Sequence, residues 1–331
     1  MRAAYYTRTG AAADVLELAD LAEPVAGTGE VLVRVRASGI NPADVKRRAG
    51  WRGVAMAHPR IIPHCDGAGE IVDIGPGVEN RKTGDRVWIW NAQGGYDGPG
   101  RANGTAAQYI AIAASQTALL PDAITMEAGA CLGVPAMTAH YAVFADGPVE
   151  GKTLLVQGGG GAVAHFAIQF AVCNGARVVA TAGSPERADH ARNAGAELVL
   201  DRHDKALAER IMEATAGGID RIIESEFGGN LETDVAVLKP GGVIAAYSST
   251  AVPAPVFPYY TLAARGGAVR VIQSFGFSPE IRVAVAQMVG AMSASGDLQV
   301  AIGKTFELDA IAAAHEAVEN QQVVGNVVIR I

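Results

Sequence analysis

The chain has 331 residues, half of them hydrophobic and 18% charged, which suffices for two domains with large buried cores. Its formal net charge of −7 argues against a general electrostatic affinity for nucleic acid. No apolar run approaches the roughly 18 residues that span a bilayer. The start, 1–8, lacks the apolar core of a secretory signal, and Cys65, Cys131 and Cys173 are too scattered for a disulfide framework or a cysteine zinc site. A cytoplasmic protein with no membrane or nucleic-acid partner is expected.

Residues 3–6 read as a first strand. Segment 30–37 alternates polar and apolar residues, as a half-buried strand does. Further strands are predicted at 69–75 and 85–90, between glycine and proline turns, and a short helix at 42–48. Segment 91–104 carries five glycines and a proline and is predicted as a surface loop; the β-rich region ends near residue 122. Strand-like runs then alternate with helical ones. The strands are 153–158, 177–181, 197–200, 220–224, 242–246 and 268–274; the helices are 162–174, 185–194, 204–215 and 230–238. Pro185 opens one of these helices, since a first-turn proline loses no helical hydrogen bond. Six short strands with crossover helices specify an α/β fold with a doubly wound parallel sheet. Another helix and a final strand, 326–331, close the chain.

The most informative stretch is Leu154 to Ala164, where an apolar strand runs into four consecutive glycines. Gly159, Gly161 and Ala164 match G-x-G-x-x-G/A, the dinucleotide-binding fingerprint, in its expected strand–turn–helix setting. On this reading Gly159 permits a tight turn, Gly161 leaves room for a pyrophosphate, and Ala164 allows close helix–strand packing. The following helix would aim its first amides at the phosphates. The predicted cradle is Gly158, Gly159, Gly160, Gly161, Ala162 and Val163; a glycine-rich turn without a ligand is the alternative. An NAD site usually carries an acid about 20 residues after the glycines, on the ribose 2′-hydroxyl. Here the second strand ends in Ala182 and Gly183, followed by Ser184, Pro185, Glu186 and Arg187. Ser184 can hydrogen-bond a 2′-phosphate, Arg187 can pair with its charge, and Arg202 can approach from beyond the third strand, so NADPH is expected. Glu186 would point away on its helix. The alternative for Arg187 is an ordinary solvent-facing helix residue.

Several motifs, taken in order, resemble one family. They are 39–44 with Asp44, 66–72, Gly75, 82–87, 133–139, the glycine loop and 314–326. Together they resemble the zinc-free quinone oxidoreductase, or zeta-crystallin-like, branch of the medium-chain dehydrogenase/reductases over nearly the whole chain. The resemblance implies a GroES-like β-barrel domain made of 1–122 and 276–331, a Rossmann domain at 123–275, and an active site in the cleft between them. It also implies a homodimer paired along an edge strand at 268–272, and it adds Thr138 and Asn326 to the cofactor-binding set.

Zinc-dependent relatives place Cys, His and Cys ligands at the positions of Asn41, Cys65 and Val134, so the three-ligand set is absent. His64 beside Cys65 and Asp66 invites a metal reading, but alternate strand residues would point to opposite faces. Without a zinc Lewis acid, the expected chemistry is hydride transfer from NADPH to an acceptor that is already electrophilic, a quinone or an α,β-unsaturated carbonyl. Asn41 is the candidate to orient the nicotinamide or a substrate oxygen; capping the 42–48 helix is its alternative role. Asp44 lies at a position near the family's cleft and would otherwise support the helix start. Trp51 and Arg52 are candidates for the substrate mouth, with Trp51 stacking on a flat acceptor or packing under the loop. His165 would touch the cofactor, pack in the core or face solvent. Tyr96, Tyr109 or water would supply the proton.

Two alternatives stand beside this reading. One reduces another activated C=C, of acrylate or enoyl type, with Arg47, Arg48 and Arg52 forming a cationic pocket. The other is a non-catalytic NADPH-binding structural or RNA-binding protein, disfavoured by the acidic balance.

Overall fold

The computed structural model describes residues 1–53, 55–95 and 100–331, and of Arg52 only the backbone. The first strands are β1 (Arg2–Tyr5), β2 (Glu17–Asp20), β3 (Glu30–Ile40), β4 (Asp66–Ile74), β5 (Arg86–Ile89), β6 (Tyr109–Ala113) and β7 (Thr117–Leu119). There follow β8 (Thr153–Val156), β9 (Arg177–Ala182), β10 (Leu198–Asp201), β11 (Ile219–Glu224), β12 (Leu238–Ala246) and β13 (Ala268–Val271). The chain closes with β14 (Ile302–Glu307) and β15 (Asn326–Arg330).

The residues divide into two compact units, Met1–Pro135 with Phe275–Ile331, and Ala136–Ser274. The sequence-based boundary at 122/123 lies earlier. Segment 123–135 stays with the first unit because the helix Met126–Gly129, capped by Thr125, packs on β3, β4, β5 and β15.

The first unit is the GroES-like β body. Its sheet runs β14-β15-β3-β4-β5-β7, with β6 also paired to β3, while β1 and β2 form a separate antiparallel pair. β3 is longer than predicted, because its first half pairs with β6 and its last four residues pair with β15. Alternation along β3 buries Val31, Val33 and Val35 against Ile71, Val87, Ile89, Ile110 and Ile112. Pairing of β15 with β3 brings the two ends of the chain into one body. Arg48, fully buried on the helix Pro42–Ala49, ties the same ends together: its guanidinium donates to Gly10 O at 2.5 Å and to Glu319 at 2.7 Å. Part of 91–104 is interior rather than surface. Ala92 and Gln93 are buried, and Gln93 Nε2 donates to Ile62 O at 3.1 Å.

The second unit is the doubly wound α/β fold, a parallel sheet in the order β10-β9-β8-β11-β12-β13. Val179, Leu155, Ile222, Ile244 and Val269 lie in register across five of its strands. Leu207, Ile211, Leu231, Val235 and Leu262 join the first four in one core. Such near-continuous apolar strands are what a sheet covered on both faces requires. Arg221, buried on β11, donates to Val143 O, Asp146 O and Gly147 O, satisfying carbonyls at and beyond the end of the helix Val134–Phe144.

Arg48→Ala is expected to lower the urea-unfolding free energy by about 2–3 kcal/mol, through a cavity and a lost buried donor. Glu319→Gln, at the exposed end of the same pair, should cost about 1 kcal/mol or less. Equal effects of the two would contradict this account.

Candidate functional site

The glycine loop follows β8 in the second unit. The left-handed residue is Gly158, at φ +69°, and not Gly159 as the fingerprint suggested. Gly159 is required for a different reason: a Cβ there would lie 2.8 Å from the Ala191 Cβ. Gly159 N–H donates to Thr181 O at 2.7 Å, and Gly158 N–H donates to Thr181 Oγ1 at 3.1 Å, so the tip of β9 holds the turn. The helix Ala162–Cys173 then starts at Gly161 with no side-chain cap. A Cβ on Gly161 would meet only Gly158 O, at 3.4 Å, so the space before these amides is open. Open space before uncapped helical amides fits a dinucleotide pyrophosphate. Ala162 is the first helical residue and Ala164 is fully buried, so the two alanines of the loop sit where alanine is at home.

Beyond β9 the predicted residues gather. Ser184 caps the helix Pro185–Asn193 by accepting from Arg187 N–H at 3.3 Å. Arg187 lies over the loop: a Cβ on Gly160 would be 2.6 Å from its Cβ and Cγ. Arg202 lies over Gly183, with its Nε 2.7 Å from a Cβ built there and 3.3 Å from His203 Nε2. Asp201, beside Ala182 in register, is an acid near this tip, but it accepts from His203 N–H at 2.9 Å. Sequence reasoning missed His203 and the tie from Thr181; only the alignment of neighbouring strand ends brings them to the loop.

In the first unit, Asn41, Asp44, Cys65 and Asp66 form one buried cluster. Asp44 accepts from Asn41 N–H at 2.8 Å and from Cys65 N–H at 3.1 Å, so both its oxygens are engaged inside the protein. Asn41 Nδ2 donates to Asp66 Oδ2 at 2.7 Å, and Val134 N–H donates to the same oxygen at 2.7 Å. Burial, reinforced by the nearby Asp44 carboxyl, pushes the Asp66 pKa up to about 8. The donors Asn41, Val134 N–H and Asn91 N–H work against that rise without cancelling it. Burial and the carboxyl of Asp44 also push the Cys65 thiol well above its ordinary range. An amide, a protonated thiol and Val134 are a poor donor set for zinc. Among the described residues no group of three or more His, Cys, Asp or Glu is placed to hold a metal.

His64 is not on a strand, so the opposite-face argument does not apply to it; it adopts φ +78° just before β4. Its ring bonds Ser38 Oγ and His315 Nε2, each at 2.8 Å, in a fully buried chain, and burial pushes its pKa down to about 3. Trp51 is half-buried, with the Lys46 ammonium 4.8 Å from its ring centre. The Arg52 side chain and Tyr96 lie outside the described residues. Tyr109 Oη accepts from Arg34 Nε at 3.2 Å, between paired strands. Arg47 donates to Gly94 O at 2.9 Å, and Arg48 is spent on Glu319, so the proposed cationic pocket loses Arg48. Thr138 is buried in its helix, and Asn326 Nδ2 donates to Ala301 O at 2.9 Å. His165 is in the core, its ring 4.5 Å from that of His190.

The fold and these loops define a two-unit dinucleotide-binding oxidoreductase. Residues 162–290 match the family described as zinc-binding dehydrogenase, and 27–122 match the alcohol dehydrogenase GroES-like domain. The chain is 30% identical to a quinone oxidoreductase of Mus musculus over 313 residues, covering 92% of this chain and 89% of that one. A quinone oxidoreductase of Pseudomonas aeruginosa is 28% identical over 96% of this chain and 95% of its own. A solved mycobacterial quinone oxidoreductase superposes with a TM-score of 0.88 at 29% identity over both full chains. A mycobacterial structure solved with NADPH gives 0.88 at 28%, also over both full chains. The chain belongs to the quinone oxidoreductase branch of the medium-chain dehydrogenase/reductase superfamily.

A raised carboxyl pKa makes folding bind a proton, so the stability that Asp66 contributes is fully present below about pH 4 and is lost as pH rises through about 8. Urea unfolding across that range should show this loss in the wild type and a smaller one in Asp66→Asn. Identical slopes would show that Asp66 is not held protonated.

Proposed function

We propose that the protein is an NADPH-dependent, zinc-independent reductase that delivers hydride to a quinone or an α,β-unsaturated carbonyl. One observation carries the cofactor choice. Ser184, Arg187 and Arg202 gather at the tip of β9 beside the glycine turn, while the nearby Asp201 accepts from its own loop. That arrangement suits a 2′-phosphate, and the acid beside the tip, Asp201, is engaged through Oδ1 by its own loop. Gly158–Val163 would receive the pyrophosphate at the uncapped helix start. NADPH, when bound, supplies hydride from its dihydronicotinamide.

The chain's own residues bind and orient. Asn41, with its amide fixed on Asp66, offers a rigid polar group for the nicotinamide or the acceptor oxygen. Asp44 takes the supporting role, since both its oxygens are engaged at the helix start and on Cys65 N–H. Trp51 is the described candidate for stacking on a flat acceptor. Thr138 and Asn326 remain in the proposed cofactor set on the family resemblance. Zinc independence is supported by the donor set at Asn41, Cys65 and Val134. The protein is further read as a homodimer joined along β13, the last strand of its sheet, where Val271 is 82% exposed.

NADPH oxidation against a panel of quinones and enones tests the activity. Turnover with at least one acceptor, undiminished after a chelator, is expected; no turnover with any, or loss on chelation, would overturn it. Arg187→Ala should raise the NADPH KM about tenfold and leave that for NADH unchanged. An equal response of both cofactors would remove the 2′-phosphate assignment. Light scattering should give twice the chain mass; a monomer would refute the paired edge.

A further inference from the structure

Beneath the glycine loop lies a directional chain of buried hydrogen bonds. Gly158 N–H donates to Thr181 Oγ1 at 3.1 Å, and the Thr181 hydroxyl donates to Gln157 Oε1 at 2.7 Å. Gln157 Nε2 then donates to Asp234 Oδ1 at 2.9 Å, on the helix Phe227–Val237. Every donor points the same way, so each acceptor fixes the orientation of the group before it. Reversing the Gln157 amide would set its oxygen against Asp234 Oδ1 and lose that bond. Thr181, Gln157, Asp234 and Glu224 are all at least 98% buried.

The chain ends on a pair of carboxyls. Asp234 Oδ2 has no N–H or hydroxyl donor beside it, and its neighbour is the Glu224 carboxyl at the end of β11. Glu224 accepts from Glu226 N–H, and its two oxygens lie 3.0 and 3.2 Å from Asn230 Nδ2. The groups acting on the pair are Gln157 from the loop after β8, Glu226 and Asn230 from the start of the next helix, and the Tyr247 phenol beyond β12. None of them is cationic. Two neighbouring buried carboxyls with no cation among these groups resist ionising together, and one proton between them relieves the repulsion.

We propose that Asp234, sharing a proton with Glu224, is a positioning residue for cofactor binding: through Gln157 and Thr181 it sets the Gly158 amide and the left-handed turn that opens the dinucleotide loop. This rests on the reading that the loop holds NADPH. Burial raises the affinity of both carboxyls for the proton, Asp234 most strongly. With one proton held between them the pair is singly charged and the chain is intact. As pH rises well above the usual carboxyl range the proton leaves; Asp234 still accepts from Gln157, but repulsion from Glu224 displaces it and carries the Gln157 amide with it. NADPH affinity then falls on the alkaline side.

The test measures NADPH dissociation constants by fluorescence titration from about pH 6 to about pH 10, with thermal melts for each variant. The wild type should weaken about tenfold on the alkaline side, and Asp234→Asn less than about threefold. The asparagine still accepts from Gln157 and cannot ionise. Asp234→Leu, which removes the acceptor, should bind about tenfold more weakly already at neutral pH, with the KM for the acceptor unchanged. If Asp234→Leu does not fold, the wild-type and Asp234→Asn profiles decide alone. Identical alkaline weakening in those two, or wild-type affinity in a folded Asp234→Leu, would overturn the proposal. Gly161→Val separates the two levels. If it binds NADPH normally, the loop reading falls and this proposal with it. If it loses binding while the Asp234 variants follow the wild type, only the positioning role falls.

Discussion

The backbone hydrogen bond from Gly159 N–H to Thr181 O, 2.7 Å long, joins the turn after β8 to the end of β9, and the nucleotide unit is organised around it. It holds the chain against the neighbouring parallel strand just as the chain must reverse into a helix. With the turn fixed there, the amides of the helix Ala162–Cys173 face open space rather than protein. The same strand end delivers Ser184 to cap its own helix, and lays Arg187 across Gly160. One backbone bond thus sets both ends of a site that would need phosphate donors at one end and cationic side chains at the other.

Buried carboxyls recur in both units, and of the four only Asp44 has a cation, Arg47, among the groups that chiefly shift it. Asp44 and Asp66 sit in the β body, Glu224 ends β11 of the parallel sheet and Asp234 lies on the helix Phe227–Val237. In each case burial favours the neutral acid, and backbone or amide donors fix its orientation. A neutral buried carboxyl is a rigid, directional hydrogen-bonding group without the full desolvation cost of a charge. The contrast with Arg48 is instructive: its guanidinium is matched by Glu319 and a backbone carbonyl.

Much of this was legible in the chain itself, and the failures have local causes. The six strands of the parallel sheet are apolar runs separated by helical periodicity, so their order and type could be read directly. The lengths of β3 and β4 were under-read, because Ala37–Ile40 and Asp66–Ala68 are buried on both sides by partners distant in sequence and lose their alternation. The loop at 91–104 looked like surface by composition, yet Gln93 is drawn inside by the carbonyl of Ile62. Segment 123–135 carries no strong signal of its own and goes with the body its helix packs against. Nothing in the sequence marks Asp66 and Asp234 as carboxyls whose pKa burial raises, since that depends on what surrounds them.

Local chemistry determined the fold class, the glycine turn, the helix that follows it and the cationic residues after β9. Each depends on backbone freedom, periodicity or residue type over a few neighbouring positions. Tertiary structure decided the rest: that Gly158 rather than Gly159 takes the left-handed conformation, that Asp44 is engaged on the Asn41 and Cys65 amides, and that Asp234 reaches Gly158 through two side chains. Those outcomes follow from burial and from hydrogen-bond partners up to 77 positions apart, which spacing along the chain does not encode.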